Sequence, residues 1–596
     1  MGIVEQKEIL IDVALDKTAP DLVIRGAKLV NVHTREIHKA DVLLKGERVA
    51  AIALDNERRS FPETFVIDAD GQYLVPGFID PHMHPESCSV TVSQLARAIV
   101  PRGVTTVVAD PHELGNVLGL RGINLLLEEA EALPINFLLR VPARVPELSQ
   151  EAETAGSEIT LKETAAMLRL PHAVCLAGDI SPKFILTKDH DQLARIASAI
   201  EAGKTVSGYS PGLRANELNA LVAAGLEDSH TPKDTEEVLD DLRHGLHVLL
   251  THRPYKFEET EFARLADLLR EKKIDTTMLS FCTDDVHTNQ LIHEGHLDQR
   301  VRLAISNGVD PVTAIQMATI NTANHLRIQR DFGSITPGKI ADIVILDDLG
   351  TLKADKVLVH GKLVAAGGRM VVELPTFRYP DWSQRTIHVG KAIRDDDLAL
   401  PTSPWAANVK VKVLVSGSPK SCIVASLSVR NGKIVPDLDA DILPVAVIDR
   451  HKGSGRIGKG FAQGFGIKDG AIATSVNHNA HNLVVLGTDY RNMATAVNRL
   501  IELGGGYVAA TEGRIVAEVE LPIAGLLSED PYEIVGAKFD EIERALREDL
   551  LCTMKDRPLL ALNFLCSPCV PHFGLTDRGM IDGDSYELED VIVEVT

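Results

Sequence analysis

Between residues 76 and 334, short apolar runs alternate with helix-like stretches, and most of the runs end on an Asp, His or Tyr. Candidate strands end near Asp80, Asp110, Pro142, Asp179, Tyr209, His230, His252 and Asp284. Apolar residues at helical spacing mark helices over 120–133, 161–168, 189–202, 214–224, 235–243 and 258–271. Eight strands with intervening helices predict a (β/α)8 TIM-type barrel, whose chemistry sits at the C-terminal ends of its strands. The sixth strand carries the weakest signal. A chain with this alternation belongs to the α/β class.

The flanks repeat a different style. Residues 21–70 and 340–366 each hold apolar strand, Gly turn, apolar strand, a hairpin signature. Two such pieces around a long middle segment predict a small composite β-domain (1–75 and 335–395) with the barrel (76–334) inserted in it. Residues 400–596 form a third region. Strand-like runs at 410–415 and 421–428, a helix over 489–503 and the glycines Gly464, Gly466, Gly470 and Gly504–Gly506 predict a C-terminal mixed α/β domain. A length of 596 residues is in keeping with about three or four domains.

Net charge of −22 argues against nucleic acid and anionic membranes as partners, since both are polyanions. No apolar stretch reaches the roughly 18 residues of a spanning helix. The first residues lack the basic start and apolar run of a signal peptide, so a cytoplasmic location is expected. Seven scattered cysteines make no disulfide framework, and the Cys566–Cys569 pair reads as buried thiols acting as small hydrophobes.

The chemistry is concentrated where Val75 to Ser87 reads Val-Pro-Gly-Phe-Ile-Asp-Pro-His-Met-His-Pro-Glu-Ser. In extended backbone, residues two apart point the same way, so His82 and His84 face one point in space. Two convergent imidazoles at a strand end are half of a metal site, suited to Zn, Fe, Mn or Ni.

This His-x-His, with an Asp after the eighth strand, resembles the amidohydrolase superfamily, and longer strings are similar to its microbial adenine deaminase family. They are Phe78-Ile-Asp-Pro-His-Met-His-Pro-Glu-Ser87, Ala109-Asp-Pro-His-Glu113, Pro211-Gly-Leu213, Glu217-Leu-Asn219, Cys282-Thr-Asp-Asp285 and Glu294-Gly-His296. Asp449-Arg-His451, Gly455-Arg-Ile-Gly458, Ser475-Val-Asn-His-Asn-Ala-His-Asn482 and Leu575-Thr-Asp-Arg-Gly579 extend the likeness almost to the C-terminus. The resemblance implies metal-assisted hydrolysis of adenine to hypoxanthine and ammonia, a purine as small-molecule partner, and a homodimer. It implies one or two divalent ions per chain, Mn or Fe by family and Zn equally by ligand chemistry. His82, His84, His230 and Asp284 are the expected ligands, with His252 and Asp179 as secondary candidates. Asp284 is the expected proton carrier, with Glu86 beside it on a purine ring nitrogen. His112, Glu113, Tyr209 and Asp285 are further substrate-site candidates. In extended backbone Asp285 would point away from Asp284. The sequence leaves the role of His478 and His481 open.

Four positions depart from the family pattern. Leu176-Ala-Gly-Asp179 stands where the family has Leu-Gly-Glu, whose Glu bridges two metals, and Tyr209 stands at a family histidine. His230-Thr231 replaces His-Glu, and Thr251-His-Arg253 replaces Arg-Glu-Gly. The remaining ligands suffice for one four-coordinate ion and are thin for two. Two alternative readings follow: hydrolysis of another cyclic amidine or amide, or a catalytically silent purine binder.

Overall fold

The computed structural model describes residues 2–54, 64–177, 180–252, 257–417, 420–555, 557–568 and 573–595. Its centre is a parallel barrel of eight strands: β1 (Phe78–Met83), β2 (Val104–Ala109), β3 (Asn136–Pro142), β4 (Ala173–Ala177), β5 (Thr205–Gly208), β6 (Asp228–Ser229), β7 (His247–Leu250) and β8 (Leu279–Phe281). Each pairs with its neighbour in chain order. The weak sixth strand is two residues long. Two of the barrel helices begin where a carboxylate satisfies free N–H groups of the first turn. Asp189 accepts from Gln192 N ahead of His190–Glu201, and Asp234 accepts from Glu236 N and Glu237 N ahead of Thr235–Arg243.

Closure of the barrel is narrow. The first and last strands meet through a single parallel bridge between Met83 and Asp284. Asp284 N donates to His82 O at 3.0 Å, and His84 N donates to Asp284 O at 3.2 Å.

Strands from both sides of the barrel segment build one nine-stranded sheet. Tyr73–Pro76 lies antiparallel to Ile343–Leu346, with Pro76 opposite Ile343 and Tyr73 opposite Leu346. Tight hairpins turn at Gly46 and Gly361, both at positive φ. The chain then passes into β1 through Gly77, whose N–H donates to Asp342 O at 2.9 Å.

Beyond residue 400 a ten-stranded sheet runs from Asn408–Val415 to Ile592–Val595. Its helix Tyr490–Leu503 is capped by Asp489 and ends at Gly504 in the left-handed region. The loop between strands Ala471–Thr474 and Leu483–Gly487 sits on the barrel mouth, where Asn479 Nδ2 donates to Glu147 Oε2 at 2.7 Å. Thr154 of the barrel donates from N (2.9 Å) and Oγ1 (2.7 Å) to Asp577. Cys566 is buried, and Cys569 lies outside the described residues. Among the described residues no helix is long and apolar enough to cross a membrane.

Gly77 is needed for space rather than for flexibility. A Cβ there would lie 2.1 Å from Thr105 Oγ1, a short, stiff side chain that cannot swing aside. Gly77→Ala is expected to cost about 1–3 kcal/mol of stability by overpacking, read from urea unfolding.

Candidate metal centre

The site grows out of the closing seam. The two hydrogen bonds between β1 and Asp284 hold His82, His84 and Asp284 at one level of the barrel mouth. Asp284 adopts φ +60°, a left-handed conformation that Asp tolerates better than most residues, and this turn aims its carboxylate inward. Asp284 Oδ1 lies 3.5 Å from His82 Nε2 and 3.4 Å from His84 Nε2. Four ligands arranged tetrahedrally at roughly 2.1 Å from an ion stand about 3.4 Å apart, the separation each imidazole keeps from the Asp284 oxygen. His230 closes the set, with Nε2 4.0 Å from Asp284 Oδ2 and its ring centroid 4.3 Å from that of His82.

Supporting contacts orient these groups. His84 Nδ1 donates to Asp110 O at 3.1 Å, which turns Nε2 toward Asp284. Both ring nitrogens of buried His82 lack a hydrogen bond, a costly state for an imidazole that no cation serves. Behind the seam, Asp80 clamps both sides. It accepts from His82 N (3.2 Å), Thr283 N (3.3 Å) and Thr283 Oγ1 (2.6 Å). Burial pushes its carboxyl up to about 7 in spite of those bonds.

On the far side of His84 lies a second set of acidic and imidazole groups. His112, Glu113 and His84 offer ligand atoms within 4.8 Å of one another, as do His84, Asp284 and Asp285. Glu86 Oε1 accepts from Leu114 N at 2.8 Å, while its buried Oε2 has no hydrogen bond. Burial, and then the Glu113 carboxylate, push Glu86 up to about 8. His478 reaches in from the C-terminal region, with Nδ1 2.8 Å from Glu113 Oε1 and its ring stacked on Phe564. The field here is negative. Burial lowers His84, yet the carboxylates of Asp284, Glu113 and Asp285 outweigh it and hold the imidazole up at about 10. A buried pocket that raises an imidazole this far favours a cation.

The expected direction of Asp285 needs correction. Asp285 does not point away: the left-handed turn at Asp284 breaks the extended alternation, and Asp285 Oδ1 accepts from Ser87 Oγ at 2.5 Å beside His84. His252 is in none of the ligand clusters found among the described residues, and its Nδ1 donates to Phe257 O at 3.3 Å. Tyr209 turns its hydroxyl to Glu147 Oε1 at 3.4 Å, on the side facing the C-terminal region. Gly178, Asp179 and Arg253 lie outside the described residues.

Residues 73–364 match the amidohydrolase family, and residues 420–587 match the adenine deaminase C-terminal domain. An adenine deaminase of Mesorhizobium japonicum is 37% identical over 590 residues, covering 98% of this chain and 96% of that protein. Adenine deaminases of Moorella thermoacetica (36% over 587 residues) and Roseobacter denitrificans (36% over 596 residues) each match 98% of this chain. They are covered over 97% and 98% of their own lengths.

Arg140 and the Asp80–Thr283 clamp are functional features that the sequence pattern did not single out. Arg140 had a visible signal, a charge inside the apolar run Asn-Phe-Leu-Leu-Arg-Val-Pro, which demands buried partners. Asp80 and Thr283 are 203 residues apart, and nothing local pairs them. Asp80→Ala strands three buried donors and is expected to cost about 2–4 kcal/mol in chemical unfolding, with weaker cation binding. Wild-type stability in that variant would show that the clamp carries no load.

Proposed function

Since this chain belongs to the adenine deaminase family of amidohydrolases, we propose that it hydrolyses adenine to hypoxanthine and ammonia at the His82–His84–Asp284 centre. The observation that carries the reading is that two imidazoles stand 3.4–3.5 Å from one Asp284 carboxylate oxygen in a buried, negative mouth. The donor set of two or three imidazoles and a carboxylate fits a divalent cation. Manganese or iron is the ion we propose, and zinc fits the same donors. When bound, such an ion lowers the pKa of a coordinated water and supplies a nucleophile near neutral pH.

The protein's own groups do the rest. Asp284, beside the nucleophile, accepts the water's proton and returns it toward the leaving amine as the C6–O bond forms and the C6–N bond breaks. Glu86 keeps its proton near neutral pH, so its free Oε2 serves as a donor to a purine ring nitrogen. His112, Glu113 and Asp285 are proposed to hold the opposite edge of the ring. His478 covers that edge from the C-terminal region and keeps bulk water away. The comparisons do not favour the alternatives of another cyclic amidine or a silent purine binder. We extend the proposal, on the family alone, to a cytoplasmic homodimer working in purine salvage.

Purified protein supplied with Mn2+ is expected to release ammonia from adenine. Exhaustive chelation should stop the release, and Mn2+ or Fe2+ should restore it. Asp284→Asn is expected to lower kcat by about 10³-fold or more while the circular dichroism spectrum stays unchanged. Near-normal turnover in that variant would remove Asp284 from the proton path.

A further inference from the structure

A buried arginine faces the candidate ligands. Arg140, on β3, is 1% exposed and lines a small cavity of ≈ 20 Å³ together with His82, His84, Asp110, Ser207, Gly208 and His230. Its guanidinium is fixed on several sides. Nη1 donates to Pro81 O at 2.6 Å, Nη2 donates to Ser207 Oγ, and Nε lies 3.7 Å from Asp110 Oδ2. Ser207 in turn donates to Asp228 Oδ1, and Asp228 Oδ2 lies 2.6 Å from His325 Nε2. This polar chain runs from the mouth into the barrel interior and holds the arginine in one place.

A second cation on the side of the centre that His82 and His230 share would meet that cavity, which both residues line. Among the described residues that line it, Asp110 is the one carboxylate, and Asp110 is committed to Arg140 and to His112 Nδ1 at 3.2 Å. An arginine keeps its charge at any accessible pH. Like charges at this range, in a buried setting, repel strongly.

We propose that the Arg140 guanidinium is the site's built-in second positive charge, standing where a second metal ion would go, so that the centre takes one divalent ion per chain. The inference rests on the hydrolase reading above and deepens it. A single ion loses the electrostatic help of a partner metal, and Arg140 supplies a fixed, hydrogen-bonded substitute that never exchanges. Its charge also opposes the bound ion, so it tunes the affinity of the centre.

The test is metal content with a charge series. Protein reconstituted in excess Mn2+ and desalted is expected to hold about one ion per chain by elemental analysis. Two ions per chain would overturn this inference and leave the hydrolase reading standing, whereas none would overturn both. Arg140→Gln, checked for fold by circular dichroism, is expected to bind Mn2+ about tenfold or more tightly in chelator competition, since a like charge has gone. Arg140→Lys, which keeps the charge, should stay within about threefold of wild type. Equal affinity across the series would overturn the role given to Arg140, and the ion count decides the matter should the Gln variant fail to fold.

Discussion

Two backbone hydrogen bonds, from Asp284 N to His82 O and from His84 N to Asp284 O, close the barrel and assemble its chemistry at once. A (β/α)8 barrel must join its last strand to its first, and here the join consists of one bridge at the level of the histidines. The three donor atoms therefore need no flexible loop to bring them together. Asp80 reinforces the seam from within by accepting from both strands, so a change that loosens closure also disperses the donor set.

The rest of the chain serves this join. The composite sheet anchors the start of β1 through the tight passage at Gly77, where Thr105 leaves no room for a side chain. The C-terminal region covers the mouth with His478 and Asn479, which meet Glu113 and Glu147. Covering the mouth lowers the local dielectric, which strengthens each charge interaction within and raises Glu86 into the range where it holds a proton. Arg140 brings the opposite sign to the same pocket. Its charge offsets part of the carboxylate field, and its tethering through Ser207 to Asp228 keeps that offset fixed.

Much of this was legible in the sequence, for physical reasons. Strand ends were visible because polar residues stop apolar runs at the barrel rim. His82 and His84 were visible because a period of two puts both rings on one side. The helix over Thr235–Arg243 was visible from its apolar spacing, and the structure shows Asp234 capping it. Other features depend on tertiary facts that no local pattern encodes. The turn at Asp284 reverses the direction expected for Asp285, and only the closing seam requires that turn. His252 had the right residue type after the right strand, yet it joins none of the ligand clusters among the described residues. Arg140 acquires meaning through partners on β1, β2, β5 and β6 that lie far from it in sequence.

A crystal grown with Mn2+ and measured near the manganese absorption edge tests the central claim most directly. One anomalous peak per chain is expected, roughly 2.0–2.3 Å from His82 Nε2, His84 Nε2 and an Asp284 carboxylate oxygen. A peak bound elsewhere, with those three side chains apart and unliganded, would contradict it.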